Sequence, residues 1–282
     1  MSESQKCSPR AFETFKRSGR CVSNADVKAV ARRWNEAHPD RRINEAAEID
    51  IVLEKLHAVI GRNHHDWSDH QVVKRDSKLR SKMASRFRPK MPQSWRNNPS
   101  MWLSTRDIEK VMRQYQEGFA NFRFLGVYPR DFTTVRHGRC LAGREICSNE
   151  FIYSGIDHAG LVFNMDRHDQ AGSHWVACFV SLDESKPLYG VYYYDSIARP
   201  PPPEIATWIL RVQEDVLNSK PKKRRFEVAY NRERRQFANT ECGMFAMVFL
   251  SVAMKNEETF RQICNAMGTD RDMNILRNVM YR

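Results

Sequence analysis

Four residues, in one order, give this chain a recognisable chemistry. His174 is followed 21 positions later by Asp195, and Gln236 precedes Cys242 by six, with Gly243 next. A thiol attacks an amide only as the thiolate. A histidine beside it can hold the proton and return it to the leaving amine. An acid behind that histidine accepts the imidazole N–H and sets its tautomer, and a fixed amide donor stabilises the oxyanion of the tetrahedral intermediate. Cys242 therefore reads as the nucleophile, His174 as the base, Asp195 as the orienter of the base, and Gln236 as the oxyanion donor. The set points to a cysteine protease or isopeptidase.

The elements that carry these residues must bring them together. Residues 174–182 and 188–194 are mostly apolar runs separated by the turn Asp183-Glu184-Ser185-Lys186-Pro187. They read as two buried strands of a hairpin. His174 then projects from one strand end, and Asp195 ends the neighbouring strand beside it. Residues 244–254 are apolar on nearly all sides, the pattern of a buried helix. Cys242 would sit at its start, where free N–H groups and the helix dipole favour an anion. Gly243 lets the backbone turn closely there and leaves an N–H for the oxyanion. Trp175 and Gly243 are the candidate substrate-binding residues, Trp175 flanking a narrow slot. His168 is the rival base and His158 a weaker one; Asn239 is the rival oxyanion donor. Glu241 is placed to orient the loop.

The remaining elements frame an α+β domain beginning near Pro99. Ser104 and Asp107 have the spacing of a capping box. Ile108, Val111, Met112 and Tyr115 form a stripe that Gly118 closes. Strands follow at 122–127 and 160–164. Pro200 to Pro203 delivers the chain into a helix with Ile205, Trp208, Ile209, Val212 and Val216 on one face. A strand at 226–230 and helices at 260–267 and 273–280 complete the pattern.

Residues 1–98 read as a basic, mainly helical N-terminal extension, and 99–282 as the catalytic domain. Residues 1–22 look frayed. Helical stripes follow at Val27, Val30, Ala31 and Trp34, then at Ile49, Val52, Leu53, Leu56 and Ile60. Residues 63–70 read as a loop whose histidines fit no standard metal spacing. The first hundred residues carry 21 Lys/Arg against 12 Asp/Glu, a net of +9. The other 182 residues carry 25 against 22, a net of +3. From Lys74 to Arg96 there are nine basic residues and one acid, with Trp67, Phe87 and Trp95 nearby or interleaved. That run is a candidate DNA or polyanion surface, acting by phosphate neutralisation and base stacking, or else a basic linker whose aromatics dock on a domain. Residues 220–225, Lys-Pro-Lys-Lys-Arg-Arg, read as a nuclear-import signal or a solvated turn. Seven cysteines without a Cys-x-x-Cys pair predict neither a disulfide framework nor a zinc ribbon. No apolar leader or membrane-length run occurs, so a cytoplasmic protein is expected, with a nuclear location the alternative. No cofactor or metal is required.

His174-Trp175, Asp195-Ser196 and Gln236 with Cys242-Gly243 resemble, in order and spacing, the adenain-like cysteine proteases. These include SUMO and ubiquitin-like protein proteases and the adenovirus protease. The resemblance covers roughly residues 99–267. It implies a papain/adenain-like core, a central mixed β-sheet flanked by helices. Residues 102–115 and 122–132 look closer to the branch in large double-stranded DNA viruses, similar to the African swine fever virus polyprotein protease. That resemblance implies cleavage of structural or capsid precursors after Gly-Gly or Gly-X sites during virion maturation, in the host cytoplasm or viral factory and in the virion. It also implies a DNA or peptide activator. Phe237 stands where cellular members commonly have proline. The alternative substrate is a SUMO- or ubiquitin-like modifier, cut by a deconjugating isopeptidase. A non-catalytic scaffold or nucleic-acid protein on the same fold is the reading from another class.

Overall fold

The computed structural model describes residues 6–136, 138–219 and 223–282. Part of the basic run 220–225 therefore lies outside the described residues. The chain forms two compact units, Met1–Lys90 with Val279–Arg282, and Met91–Asn278. The division falls after Lys90 rather than after residue 98, because Trp95 is buried under the Arg277 guanidinium, 4.6 Å from its ring centroid.

In the first unit, α1 (Phe12–Ser18) ends at Gly19, whose φ of 68° suits a residue without Cβ. A reciprocal Ser23–Asp26 capping box starts α2 (Asn24–Ala37). The apolar stripe of α2 meets that of α3 (Ile49–Ile60) in a core completed by Trp67, Leu79, Met83 and Phe87. Residues 63–70 are not a loop: His64–Asp69 is a 3-10 helix, and its Trp67 donates to Gly61 O at 2.7 Å. Residues 6–22 are also ordered. Cys7 is joined to Cys21 by a disulfide, and its backbone bridges to Phe87. Cys140 and Cys147 pair as well. The expectation of no disulfides is thus corrected: pairing follows proximity in space, which cysteine spacing alone does not report.

The basic run from Lys74 to Arg96 is not a plain linker, although its aromatics do dock in the fold. α4 (Ser77–Ser85) puts Leu79 and Met83 into the core, while Lys82 and Arg86 bind the fully buried Asp26 at 2.8 and 2.9 Å. Trp67, Phe87 and Trp95 are all buried, so they offer no faces for base stacking.

In the second unit, the Ser104–Asp107 capping box starts α5 (Thr105–Gly118). The sheet is five-stranded and mixed, in the order β1 (Phe122–Pro129), β4 (His158–Asn164), β5 (Trp175–Ser181), β6 (Gly190–Tyr194), β7 (Glu227–Tyr230). A small hairpin of β2 (Val135–Arg136) and β3 (Arg139–Cys140) stands apart from it. The outer pairs β1–β4 and β6–β7 are parallel; the inner pairs are antiparallel. Val176, Cys178 and Val180 of β5 pack with Trp208, Val212 and Val216 of α6 (Pro203–Ser219). The alternate residues Ala177 and Phe179 point to the other face, where α7 (Cys242–Ala253) is buried nearly all round. β5 is covered on both faces, which is why its sequence is a continuous apolar run. The short α8 (Phe260–Ala266) and the C-terminal α9 (Asp270–Met280) follow. Among the described residues, no helix is long and apolar enough to cross a membrane.

Candidate active site

Strand register brings the acid to the base. Tyr194 pairs with Ala177, so Asp195, one residue further along β6, stands beside the start of β5, where His174 lies. The His174 Nε2 to Asp195 Oδ1 distance is 2.6 Å. Asp195 is fully buried and His174 nearly so. The Asp195 carboxylate also accepts from Ile197 N at 2.9 Å. With Nε2 committed to Asp195, Nδ1 is the ring nitrogen left to face the thiol. Burial pushes the His174 pKa down, but the Asp195 and Cys242 interactions outweigh it and raise the value to about 9.

Cys242 is the first residue of α7 and is buried. The preceding Glu241 makes no side-chain cap to this helix, so first-turn N–H groups and the helix dipole are available to a thiolate or an oxyanion. Gly243 also has a packing duty. A Cβ there would lie 2.9 Å from Leu103 Cδ1 and 3.2 Å from Trp175 Cδ1. Its absence lets the helix start seat against those two residues. Trp175 Nε1 in turn donates to Leu103 O at 2.9 Å. The base-bearing strand, the Leu103 segment and the nucleophile helix are thereby packed together.

Gln236 is buried. Its Oε1 accepts from Ser196 Oγ at 2.6 Å, and its Nε2 donates to Ala238 O at 2.7 Å. The Ser196 hydroxyl therefore fixes which end of the amide points where, and one N–H of the amide remains for another acceptor. Ser196 O also accepts from Arg235 N and Gln236 N at 2.8 and 2.9 Å, tying the acid's turn to the donor's loop. The rival Asn239 is exposed.

The rival bases are placed elsewhere. His158 pairs with Ser181, at the opposite end of β4–β5 from Asn164 and Trp175. His168 is at the correct end of the sheet, but its Nδ1 binds Asp131 Oδ2 at 2.6 Å. His168 lines a cleft of about 260 Å³ with Thr105, Tyr128, Asn164, Gly172 and Trp175. Among the described residues, no group of three His, Cys, Asp or Glu side chains could share a metal ion.

Sequence reasoning missed Asn231. Its Oδ1 accepts from Asp195 N at 2.8 Å, and its Nδ2 donates to Asp195 O at 2.7 Å, fixing the backbone of the acid. Asn231 follows β7, which reaches Asp195 only through the parallel pairing of β6 and β7. No local pattern announces that contact.

A family model described as the Ulp1 protease family, C-terminal catalytic domain, matches residues 133–282. A protein of Acanthamoeba polyphaga mimivirus that carries a thiol-protease name is 30% identical over 181 residues, or 64% of this chain and 57% of the relative. The chain thus spans little more than half the length of that relative. The SUMO-1 cysteine protease of an African swine fever virus isolate is 24% identical over 213 residues, covering 72% of this chain and 75% of its own. A crystal structure of the African swine fever virus protease matches with a TM-score of 0.64 at 18% identity, covering 100% of this chain and 97% of the other, a likeness of fold. The matched residues take in β4 to β7, the His174–Asp195 pair and the Cys242 helix, more than half of the chain, which therefore belongs to the Ulp1 protease family of cysteine peptidases.

Proposed function

We propose that the chain is a viral cysteine endopeptidase that cuts structural precursors after Gly-Gly or Gly-X during virion maturation. It would act in the host cytoplasm or viral factory and in the particle. The observation that carries the reading is the His174–Asp195 bond of 2.6 Å at a histidine whose pKa is raised to about 9 by Asp195 and by Cys242, a cysteine at a helix start.

In this reading His174 is protonated at neutral pH and partners the Cys242 thiolate. The thiolate attacks the carbonyl carbon. The oxyanion forms beside the first-turn N–H groups of α7 and the free N–H of the Gln236 amide. Collapse of the intermediate expels the amine, which takes its proton from His174. Water, deprotonated by the now neutral imidazole, then hydrolyses the thioester. Trp175 lines the cleft, and Gly243 packs against Trp175 and Leu103. A narrow slot suits glycine at the scissile position.

The exposed Lys74, Arg75, Lys78 and Arg80 leave a polyanion partner such as DNA open through phosphate contacts, without stacking. A second reading, removal of a SUMO-like modifier, is favoured by the name of the African swine fever virus relatives.

The test is mass-spectrometric profiling of a diverse peptide pool, supplemented with ubiquitin and SUMO precursors, using wild type against Cys242→Ala. Cysteine-dependent cuts after glycine in the peptides, with the modifiers intact, support maturation. Cuts confined to the Gly-Gly ends of the modifiers move the assignment to deconjugation. Turnover surviving in Cys242→Ala refutes the thiol mechanism.

A further inference from the structure

Two side chains of α9 hold the segment that carries the nucleophile. The segment from Gln236 to Glu241 has no regular structure of its own, yet it must deliver Cys242 to His174 within a few tenths of an ångström. At its outer end, Asp270 Oδ2 accepts from Phe237 N at 2.8 Å and from Ala238 N at 3.0 Å. At its inner end, Glu241 Oε2 pairs with Arg277 Nη2 at 2.9 Å. Seven residues separate Asp270 from Arg277, two helical turns, so both project from one face of α9. Ala238 is also the residue whose carbonyl receives the Gln236 amide, so Asp270 and the oxyanion donor grip the same residue.

The inner contact is unusual for its burial. The side chains of Glu241 and Arg277 are 0% and 3% exposed. Arg277 Nη1 donates to Met101 O at 2.6 Å, and the guanidinium lies over Trp95, 4.6 Å from the ring centroid. Met101 leads directly into Leu103, whose carbonyl receives the Trp175 indole next to His174. One guanidinium thus ties the residue before the nucleophile to the segment that anchors the residue after the base. A buried ion pair is seldom retained for stability alone, because desolvation cancels most of its attraction; its attested use is to specify one arrangement.

We infer that Arg277, through Glu241 and Met101, together with Asp270, through the Phe237 and Ala238 amides, are positioning residues that set the distance between Cys242 and His174 and the aim of the Gln236 amide. The inference rests on the thiol mechanism proposed above. It predicts that loosening α9 lowers turnover per active site without unfolding the protein, because small displacements of reacting groups cost large factors in rate.

The experiment compares Arg277→Met, Arg277→Lys, Glu241→Gln with Arg277→Met together, and Asp270→Asn, with Arg271→Gln on the same helix as control. Each variant is followed by circular dichroism, by the pH profile of Cys242 alkylation with iodoacetamide, and by kcat and KM on a peptide cut by wild type. Arg277→Met should lower kcat about 10- to 100-fold with KM little changed, and should change the pH dependence of Cys242 alkylation. The double variant should recover part of the loss, because it leaves no orphaned buried carboxylate. Arg277→Lys should fall between, since lysine lacks the second donor arm. Asp270→Asn sits at a partly exposed site, should fold as wild type does, and should lower kcat several-fold. Should Arg277→Met not fold, Asp270→Asn and Arg277→Lys decide. Folded variants with wild-type kcat and alkylation profile overturn the inference, as does a loss confined to the titratable fraction of active sites. A wild type that cuts no peptide would instead count against the proposed function, and the alkylation profiles would still decide the positioning.

Discussion

Replacing Asp195 with asparagine removes the charge that keeps His174 protonated while preserving shape. In the structure His174 is largely buried, and burial alone would pull its pKa below the ordinary 6.5. The bond of 2.6 Å to Asp195 and the interaction with Cys242 instead raise it to about 9. The rise amounts to about 3 kcal/mol in favour of the imidazolium. A raised folded-state pKa adds stability that is complete below pH 6.5 and is lost as pH climbs toward about 9. The same window governs chemistry, because a deprotonated His174 can neither hold the thiolate nor protonate the leaving amine. Wild-type kcat/KM should therefore fall on an alkaline limb near pH 9. In Asp195→Asn the burial effect is no longer opposed by a carboxylate. The limb should move down to neutrality or below, and kcat/KM at neutral pH should drop by about 10²- to 10⁴-fold. Peptide hydrolysis measured across the alkaline range in both proteins checks this. An Asp195→Asn protein that is folded and active, with its limb still near pH 9, would refute the argument that this carboxylate sets the imidazolium.

The other expectations follow from single contacts. Gln236→Ala should lower kcat by about 10²- to 10³-fold with little change in KM. Ser196→Ala, which only frees the amide to rotate, should cost less; equal losses in steady-state kinetics would contradict the donor role. Gly243→Ala places a methyl 2.9 Å from Leu103 Cδ1 and 3.2 Å from Trp175 Cδ1, and should destabilise by about 1–3 kcal/mol. An unchanged melting temperature would show that the Leu103–Trp175 packing yields freely. In the first unit, burial first and then the charge of His57 hold the His64 pKa down at about 4. A depressed histidine stabilises the fold fully above pH 6.5 and loses that contribution as pH falls toward about 4. His64→Gln should flatten the acid side of the melting-temperature profile, and an unaltered slope would count against it.

Much of the catalytic unit was legible in the residues themselves. The helix stripe at Ile108, Val111 and Met112, the apolar run of β5 and the all-round apolarity of α7 each state a period and a degree of burial. Those two apolar runs also place Cys242 at a helix start and His174 at a strand end, because a run's edge marks the element's edge. The order of His174, Asp195, Gln236 and Cys242, set on these elements, was enough to name the chemistry.

What the residues could not state were contacts made across the chain. The Cys7–Cys21 and Cys140–Cys147 pairs have no signature spacing. The burial of Trp67 and Phe87 depends on how short helices with few apolar residues fold onto α2 and α3. The basic run around α4 hid that its Lys82 and Arg86 neutralise a buried Asp26. Gly243 read as a close turn with an N–H for the oxyanion, and its packing against Leu103 and Trp175 was not visible in the sequence. Asn231, Asp270 and Arg277 are ordinary polar residues in sequence and acquire roles only where β7 and α9 bring them. Local sequence determines each element's period, caps and exposed face, since those depend on neighbours within a few residues. Which polar side chain meets which backbone group is decided when distant elements pack, because a buried donor or acceptor must find its partner wherever the fold supplies one.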